Sequence, residues 1–432
     1  MPDAGAALRL EGALVVTCDD AGLAGPLSVA VVGDRVAAVG EPDEVRARHP
    51  DAEVVPCDGR LLLPGLVNAH LHPELHVLKG MLEELDLHGW SEVEHFEGAL
   101  AVLSAPEGSW LQRAAIRAAF ADCLLTGTTT VQIYGVTRGA DIVAAEEAAA
   151  FGLRGEITLR DRTFAPAPPD TPPHRYRLHA EEALTREELV VAAAAHARGE
   201  ALVMHAAETE HRLAVAIQTF GTTTIRLLDR HGLLSPRMLL SHAVHTDDEE
   251  RDLIARRGAP VVSSPSAELK LSDGVAPITD YLARGCTVAL GTDAAVCNNS
   301  NDMFLEMRQL GLVQKLRYGA EAIPAEQILR IATRGGARAL GREAGTGALV
   351  EGGPADLVLV DLHNLRLQPL VHRADFSNLA ANLVYAATGQ DVTDVMVAGI
   401  WRVRDRHLLS AQLDGVVADL GRAAAFLYDR IR

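Results

Sequence analysis

The sequence predicts an α/β protein: a (β/α)8 TIM-like barrel carrying a small β-sandwich domain assembled from both chain ends. Three observations lead there. Eight short apolar runs alternate with alanine-rich stretches of helical period, the pattern of βα units and a parallel sheet. Both ends of the chain are instead rich in short strands and turns. No GxGxxG follows the first run of the middle region, which removes the main support for an open doubly wound sheet. At 432 residues the chain has the length of such a barrel with one appended domain.

Taken in order, residues 1 to 60 supply the first half of the small domain, with strand-like stretches "LRLEGALVVTC" and "LSVAVVGDRVAAVG" and a turn at Gly33-Asp34. The barrel is expected over residues 61 to 345. Its strands are Leu61 to Val67, Thr128 to Tyr134, Leu153 to Leu159, Tyr176 to His179, Ala201 to His205, Met238 to His242, Pro260 to Ser264 and Val288 to Thr292. Helices such as Trp110 to Leu125, Thr185 to Arg198, Asp247 to Arg257 and Asn301 to Leu316 lie between or after them. The stretch "DRTFAPAPPDTPPHRYR", residues 161 to 177, is too rich in proline for a regular helix, so the helix after the third strand is shortened or missing. Residues 346 to 432 complete the small domain with "ADLVLVDL" and "DVMVAGIWRVRDRHLL" and add a terminal helix.

Composition excludes several classes of function. Hydrophobic residues at 48% and charged residues at 23% fit a globular chain rather than a disordered one. No run of eighteen uncharged apolar residues appears, and the start, "MPDAGAALRLEGALVV", has no basic region ahead of an apolar stretch. Neither a membrane span nor a signal peptide is expected, and the cytoplasm is the expected location. A formal charge of -18 argues against a nucleic-acid partner, whose phosphates demand clustered Lys and Arg. The five cysteines, Cys18, Cys57, Cys123, Cys286 and Cys297, have no CxxC spacing and suggest reduced thiols.

Barrel active sites form at the C-terminal ends of the strands. Those ends hold His70 and His72 after the first strand, His179 after the fourth, His205 and Glu208 after the fifth, His242 and His245 after the sixth, and Asp293 after the eighth. His70 and His72, two apart on a strand, share a face and reach one point. Three histidines and a carboxylate from strands one, five and eight make a first shell for a divalent ion, with a position left for water or substrate. Asp293 also suits a helix N-cap, and Glu208 an acid in a first helical turn.

The motifs "LPGLVNAHLH", "LLTGTTTV", "MHAAET", "LLSHAVHTDDEE", "ELKLSDGVAPI", "LGTDAAVCNNSNDMFLEMR", "GALVEGGPADLVLVDL" and "NLVYAATGQDV" run nearly end to end. Through them the chain resembles the amidohydrolase superfamily, and within it the aminohydrolases that include S-adenosylhomocysteine, methylthioadenosine and guanine deaminases and the triazine hydrolases. The resemblance implies that His70, His72, His205 and Asp293 bind one divalent metal, zinc or alternatively iron. It implies that Glu208 shuttles a proton to a ring nitrogen, that His242 orients the attacking hydroxide, that His179 faces the heterocycle, and that His245 supports. The implied reaction is deamination of a purine-like nitrogen heterocycle with release of ammonia. Loss of chloride, thiolate or alkylamine from a similar ring carbon is the alternative, and a catalytically silent metal-binding scaffold a second. A relative with two metals would carry a lysine at the fourth strand's end; none of Lys79, Lys270 and Lys315 lies there. Relatives commonly form dimers or larger homo-oligomers.

Departures from the pattern fall where substrate is chosen. Glu268, in "SSPSAELKL", stands where an asparagine is usual, and is either a surface change or a carboxylate recognising an amino or cationic group. Trp90 is kept. Glu94 and Glu97 are candidates for the acid that holds a ribose, and Arg154 and Arg160 lie near where adenosylhomocysteine enzymes hold the amino-acid carboxylate, or are solvated surface arginines.

Overall fold

The computed structural model describes residues 7 to 431 apart from 21, 23, 91, 92, 161, 162, 169, 170 and 374. Eight parallel strands form one sheet in sequence order: β1 (Leu66–Leu71), β2 (Thr128–Ile133), β3 (Arg154–Leu159), β4 (His174–Arg177), β5 (Leu202–Ala206), β6 (Met238–His242), β7 (Val261–Ser263) and β8 (Val288–Leu290). A parallel bridge between Leu71 and Asp293 brings the last strand back to the first, so the sheet is a nearly closed barrel. At this seam the backbones approach so closely that a Cβ on Gly291 would lie 2.5 Å from that of His70. Glycine is required there because no side chain fits.

The apolar run Leu61 to Val67 is not one strand, as the sequence suggests, but two. Arg60–Pro64 belongs to an outer sheet, where Leu62 pairs with Leu359, and the chain then turns at Gly65 into β1. A Cβ on Gly65 would lie within 2.4 Å of two side-chain atoms of Thr129, which fixes the point of the break. The three leucines serve two cores. Leu61 and Leu63 pack with the barrel, and Leu62 with the outer sheets, because alternate side chains of a strand face opposite ways.

Both ends of the chain build two outer sheets. A four-stranded sheet takes Leu8–Glu11, Ser28–Val32, Arg35–Gly40 and Glu53–Pro56. A seven-stranded sheet joins Leu14–Val16, Ala24–Gly25 and Arg60–Pro64 to Leu357–Asp361, Val392–Val397, Ile400–Arg404 and His407–Leu408. Leu10, Val29 and Val31 of the first pack with Leu357, Leu359 and Met396 of the second, which makes the pair a sandwich. The terminal helix Leu413–Arg430 lies on the barrel helix Ser109–Leu125.

Two details bear on the site. β4 runs two residues earlier than the pattern suggests, which leaves His179 in the loop beyond it. No helix occurs among the described residues between β3 and β4, in keeping with the prolines of that stretch, part of which lies outside the described residues. No helix of the described residues is long and apolar enough to cross a membrane. All five cysteines are buried and unpaired.

Candidate active site

At the C-terminal rim the histidines converge. Nε2 of His70 and Nε2 of His205 lie 3.0 Å apart, Nε2 of His72 is 3.3 Å from Oδ1 of Asp293, and Nε2 of His70 is 3.8 Å from the same oxygen. His70 and Asp293 lie on either side of the seam, and the Asp293 N–H donates to the His70 carbonyl at 2.9 Å. Asn68 supports both: its Oδ1 accepts from the N–H groups of His70 and Thr292, and its amide donates to the Thr292 hydroxyl.

The ring orientations suit a cation. Nδ1–H of His72 donates to the Tyr134 carbonyl at 2.6 Å, which turns the lone pair of Nε2 toward Asp293. The phenol ring of Tyr134 stacks on His205 at 4.3 Å between centroids and holds that imidazole flat. Burial drives His70 and His205 well below the ordinary histidine pKa, so both rings are neutral. Neutral imidazoles whose nitrogens face one another at 3.0 Å, beside a carboxylate, are a donor set that fits a divalent ion.

His242 adjoins this cluster, buried and with no hydrogen bond to either nitrogen among the described residues. Three carboxylates surround it just outside hydrogen-bond distance: Glu208 Oε1 at 3.5 Å and Asp293 Oδ2 at 3.6 Å from Nε2, and Glu268 Oε1 at 3.6 Å from Nδ1. Burial alone would discharge the ring, but Glu208, Glu268 and Asp293 outweigh it and push its pKa up to about 10. For Asp293 burial acts in the opposite sense, and protonated His242, 3.6 Å from its Oδ2, helps hold its carboxyl far below the ordinary range. Both His242 and Asp293 adopt left-handed backbone angles, φ 72° and 60°, a strained conformation for such residues that aims their side chains inward.

Glu268 is no surface change. It is buried, accepts from the Ser264 N–H at 2.8 Å and the Ser263 hydroxyl at 3.1 Å, and spends its charge on His242. His245 ties loops together: its N–H donates to the Ala207 carbonyl and its Nε2–H to that of Asp273. The His179 ring and backbone N–H are both held by Glu188 at the same rim. Trp90 is buried in an apolar cluster with Leu75, Leu78, Ala294 and Val296, so it backs the loop that carries Asp293.

The remaining substrate candidates separate. Arg154 begins β3 at the opposite end of the barrel and donates from Nε to the buried Asp356 carboxylate at 2.6 Å, docking the outer sheet. It does not belong to the site, because the strand's N-terminal end faces away from it. Arg160, at the C-terminal end of β3, lines a cavity of about 590 Å³ together with Arg138, Pro166 and Tyr176. Glu94 and Glu97 are exposed on the first turn of Glu94–Ser104 and bring no carboxylate to the cluster.

Tyr134, Glu74, Asp273 and Arg212 join the site from positions that no metal-ligand motif in the sequence marks. Glu74, two residues after His72, is buried and accepts from the N–H groups of Val136 and Thr137. Asp273 is pushed up to about 8 by burial and by Glu208. Arg212 stands four residues after Glu208, the helical spacing at which a salt bridge forms, and that signal was available.

A barrel that gathers three imidazoles and a carboxylate in this way is the core of a metal-dependent hydrolase. The comparisons with known proteins make it specific: residues 61–402 match the amidohydrolase family, and the chain belongs to that family. A second short match, residues 29–52, is to an imidazolonepropionase-like composite domain of bacteria. The chain is 33% identical over 443 residues to a 5-methylthioadenosine/S-adenosylhomocysteine deaminase of Nitratidesulfovibrio vulgaris (strain DP4), with 98% of each chain covered. It is 29% identical over 442 residues to a 5'-deoxyadenosine deaminase of Methanosarcina mazei, again with 98% of each covered. Among solved structures, an adenosine deaminase from Xanthomonas campestris with bound zinc superposes with a TM-score of 0.88 at 30% identity, covering 100% of both chains.

Proposed function

We propose that this chain deaminates a 6-aminopurine nucleoside substituted at its 5′ position, with one divalent ion, Zn2+, held by His70, His72, His205 and Asp293. The observation that carries the reading is the meeting of Glu208 and Asp293 at Nε2 of His242, 3.5 and 3.6 Å away, beside the imidazole cluster. A divalent ion held there supplies Lewis acidity and makes water nucleophilic near neutral pH.

The chain's own groups then do the rest. Glu208 takes one proton of the attacking water and delivers it to the ring nitrogen beside the amino-bearing carbon, which makes that carbon electrophilic. Asp293, ionised beside protonated His242, accepts the water's second proton as the carbonyl forms. His242, held protonated by its three carboxylates, donates to the oxygen that adds to the ring. The amino group takes the proton held by Asp293 and leaves as ammonia, and the oxygen stays on the purine as a carbonyl. The choice of substrate is supported by the relatives, which are deaminases of methylthioadenosine, adenosylhomocysteine and 5'-deoxyadenosine.

The test is ammonia release from these three nucleosides, adenosine and guanine by zinc-loaded enzyme, with Glu208→Gln as the blank. Release from the 5′-substituted adenosines above adenosine and guanine is expected. Release only from guanine, or from none, sinks the reading.

A further inference from the structure

We propose that Arg212 and Glu182 are positioning residues which hold one oxygen of Glu208 so that only the other addresses the reacting centre; this rests on the role of Glu208 given above. The two oxygens of that carboxylate have different surroundings. Oε2 accepts from Nη1 of Arg212, and Oε1 is the oxygen that lies 3.5 Å from Nε2 of His242. Nε of Arg212 donates to Oε1 of Glu182 at 2.8 Å, so one guanidinium bridges a carboxylate of the β4 loop and the acid of the β5 loop.

The backbone around the bridge is fixed as well. Arg212 lies in the first turn of Glu210–Phe220, and its N–H donates to the hydroxyl of the capping Thr209 at 3.1 Å. Glu181, the neighbour of Glu182, is buried and accepts from the N–H of Ala207 at 2.8 Å and the hydroxyl of Thr224 at 2.6 Å. The adjacent pair Glu181–Glu182 therefore grips the turn from His205 to Glu208 at two points, one directly and one through Arg212.

Two other roles for Arg212 fit less well. A substrate anion would need a free face of the guanidinium, but the side chain is only 12% exposed and two carboxylates already hold it. Simple neutralisation of buried acids would be met by any cation, whereas a bridge between two carboxylates at different nitrogens uses the rigid fork that lysine lacks. Without the bridge, the Glu208 carboxylate is free to rotate and to present either oxygen, or to swing toward the cationic centre.

Arg212→Gln, Arg212→Lys and Glu182→Gln are compared with wild type for kcat, KM and zinc content. Arg212→Gln is expected to lower kcat by about 10- to 100-fold, the cost of misplacing a catalytic group. KM and zinc content stay near wild type, Arg212→Lys recovers part of the loss, and Glu182→Gln shows a smaller loss of the same kind. Adding Arg212→Gln to Glu208→Gln is expected to cause no further loss. An unchanged kcat, or a loss of the same size in the Glu208→Gln background, overturns the proposal. If Arg212→Gln does not fold, Glu182→Gln carries the same comparison. An inactive wild type would indict the deaminase reading instead, and crystal structures then decide: Glu208 turned about its carboxylate in Arg212→Gln supports the positioning role, and an unmoved Glu208 ends it.

Discussion

The Nε2 atoms of His70 and His205 stand 3.0 Å apart with their rings at 89°, although burial keeps both imidazoles neutral. Two neutral rings so placed gain little from each other and much from a shared cation. His70→Ala and His205→Ala are each expected to reduce bound zinc from about one per chain to near none while the far-ultraviolet circular dichroism is kept. Zinc is also expected to raise the stability of wild type, by about 2.7 kcal/mol at a hundred times its Kd, and that of the variants far less. Stoichiometric zinc in either variant by metal analysis would remove that histidine from the ligand set.

Glu208→Gln keeps the side chain's shape but cannot pass a proton. Ammonia release is expected to fall by about 10² to 10⁴ with zinc content unchanged, the usual worth of general acid–base help. A variant that retains wild-type turnover would take the proton shuttle away from this residue.

Glu268→Gln removes a negative charge 3.6 Å from Nδ1 of His242, keeps an oxygen for the Ser264 N–H and sets its NH2 against the Ser263 hydroxyl, which can turn to accept. A protonated imidazole loses a stabilising partner, so the His242 pKa, about 10 in the wild-type protein, is expected to fall. The alkaline limb of the pH–rate profile then moves to lower pH. A profile that stays in place would mean that Glu268 does not govern that proton.

Arg154→Ala separates docking from substrate binding. The arginine holds buried Asp356 at 2.6 Å, so its loss leaves a carboxylate short of a partner and is expected to cost about 1 to 3 kcal/mol of stability. KM is expected to stay within about twofold, well inside the tenfold change that 1.4 kcal/mol of lost binding would produce. A large rise in KM without loss of stability would return Arg154 to the site.

Glu306 is buried, accepts from the Asn298 amide and the Ser266 N–H, and is pushed up to about 7 from the ordinary 4.5 mainly by burial. Between those two values the unfolded chain has lost a proton that the folded chain keeps, so stability falls as pH rises through that window. The loss from this group is on the order of 3 kcal/mol. In Glu306→Gln the unfolding free energy is expected to fall by that much less between pH 4.5 and 7; an identical slope would show that Glu306 ionises freely when folded.

The sequence by itself determined the barrel, the sandwich from both ends and the metal-binding cluster. The reason is local. A strand followed by a helix repeats a legible period, and a side chain at a strand's C-terminal end faces the rim whatever its neighbours are, which is why His70, His205, His242 and Asp293 could be found from spacing. What only the tertiary structure decided is which residues meet across strands. Leu61 to Val67 reads as one apolar run, and only Thr129 pressing on Gly65 divides it between two sheets. Arg154 and Arg160 share one strand, yet five residues of rise put them at opposite ends of the barrel, one at Asp356 and the other at the cavity. Nothing beside Glu268 in the chain announces His242, and only the fold sets the two together, because a buried charge takes its partner from whatever lies across the barrel rather than from what lies beside it in the chain.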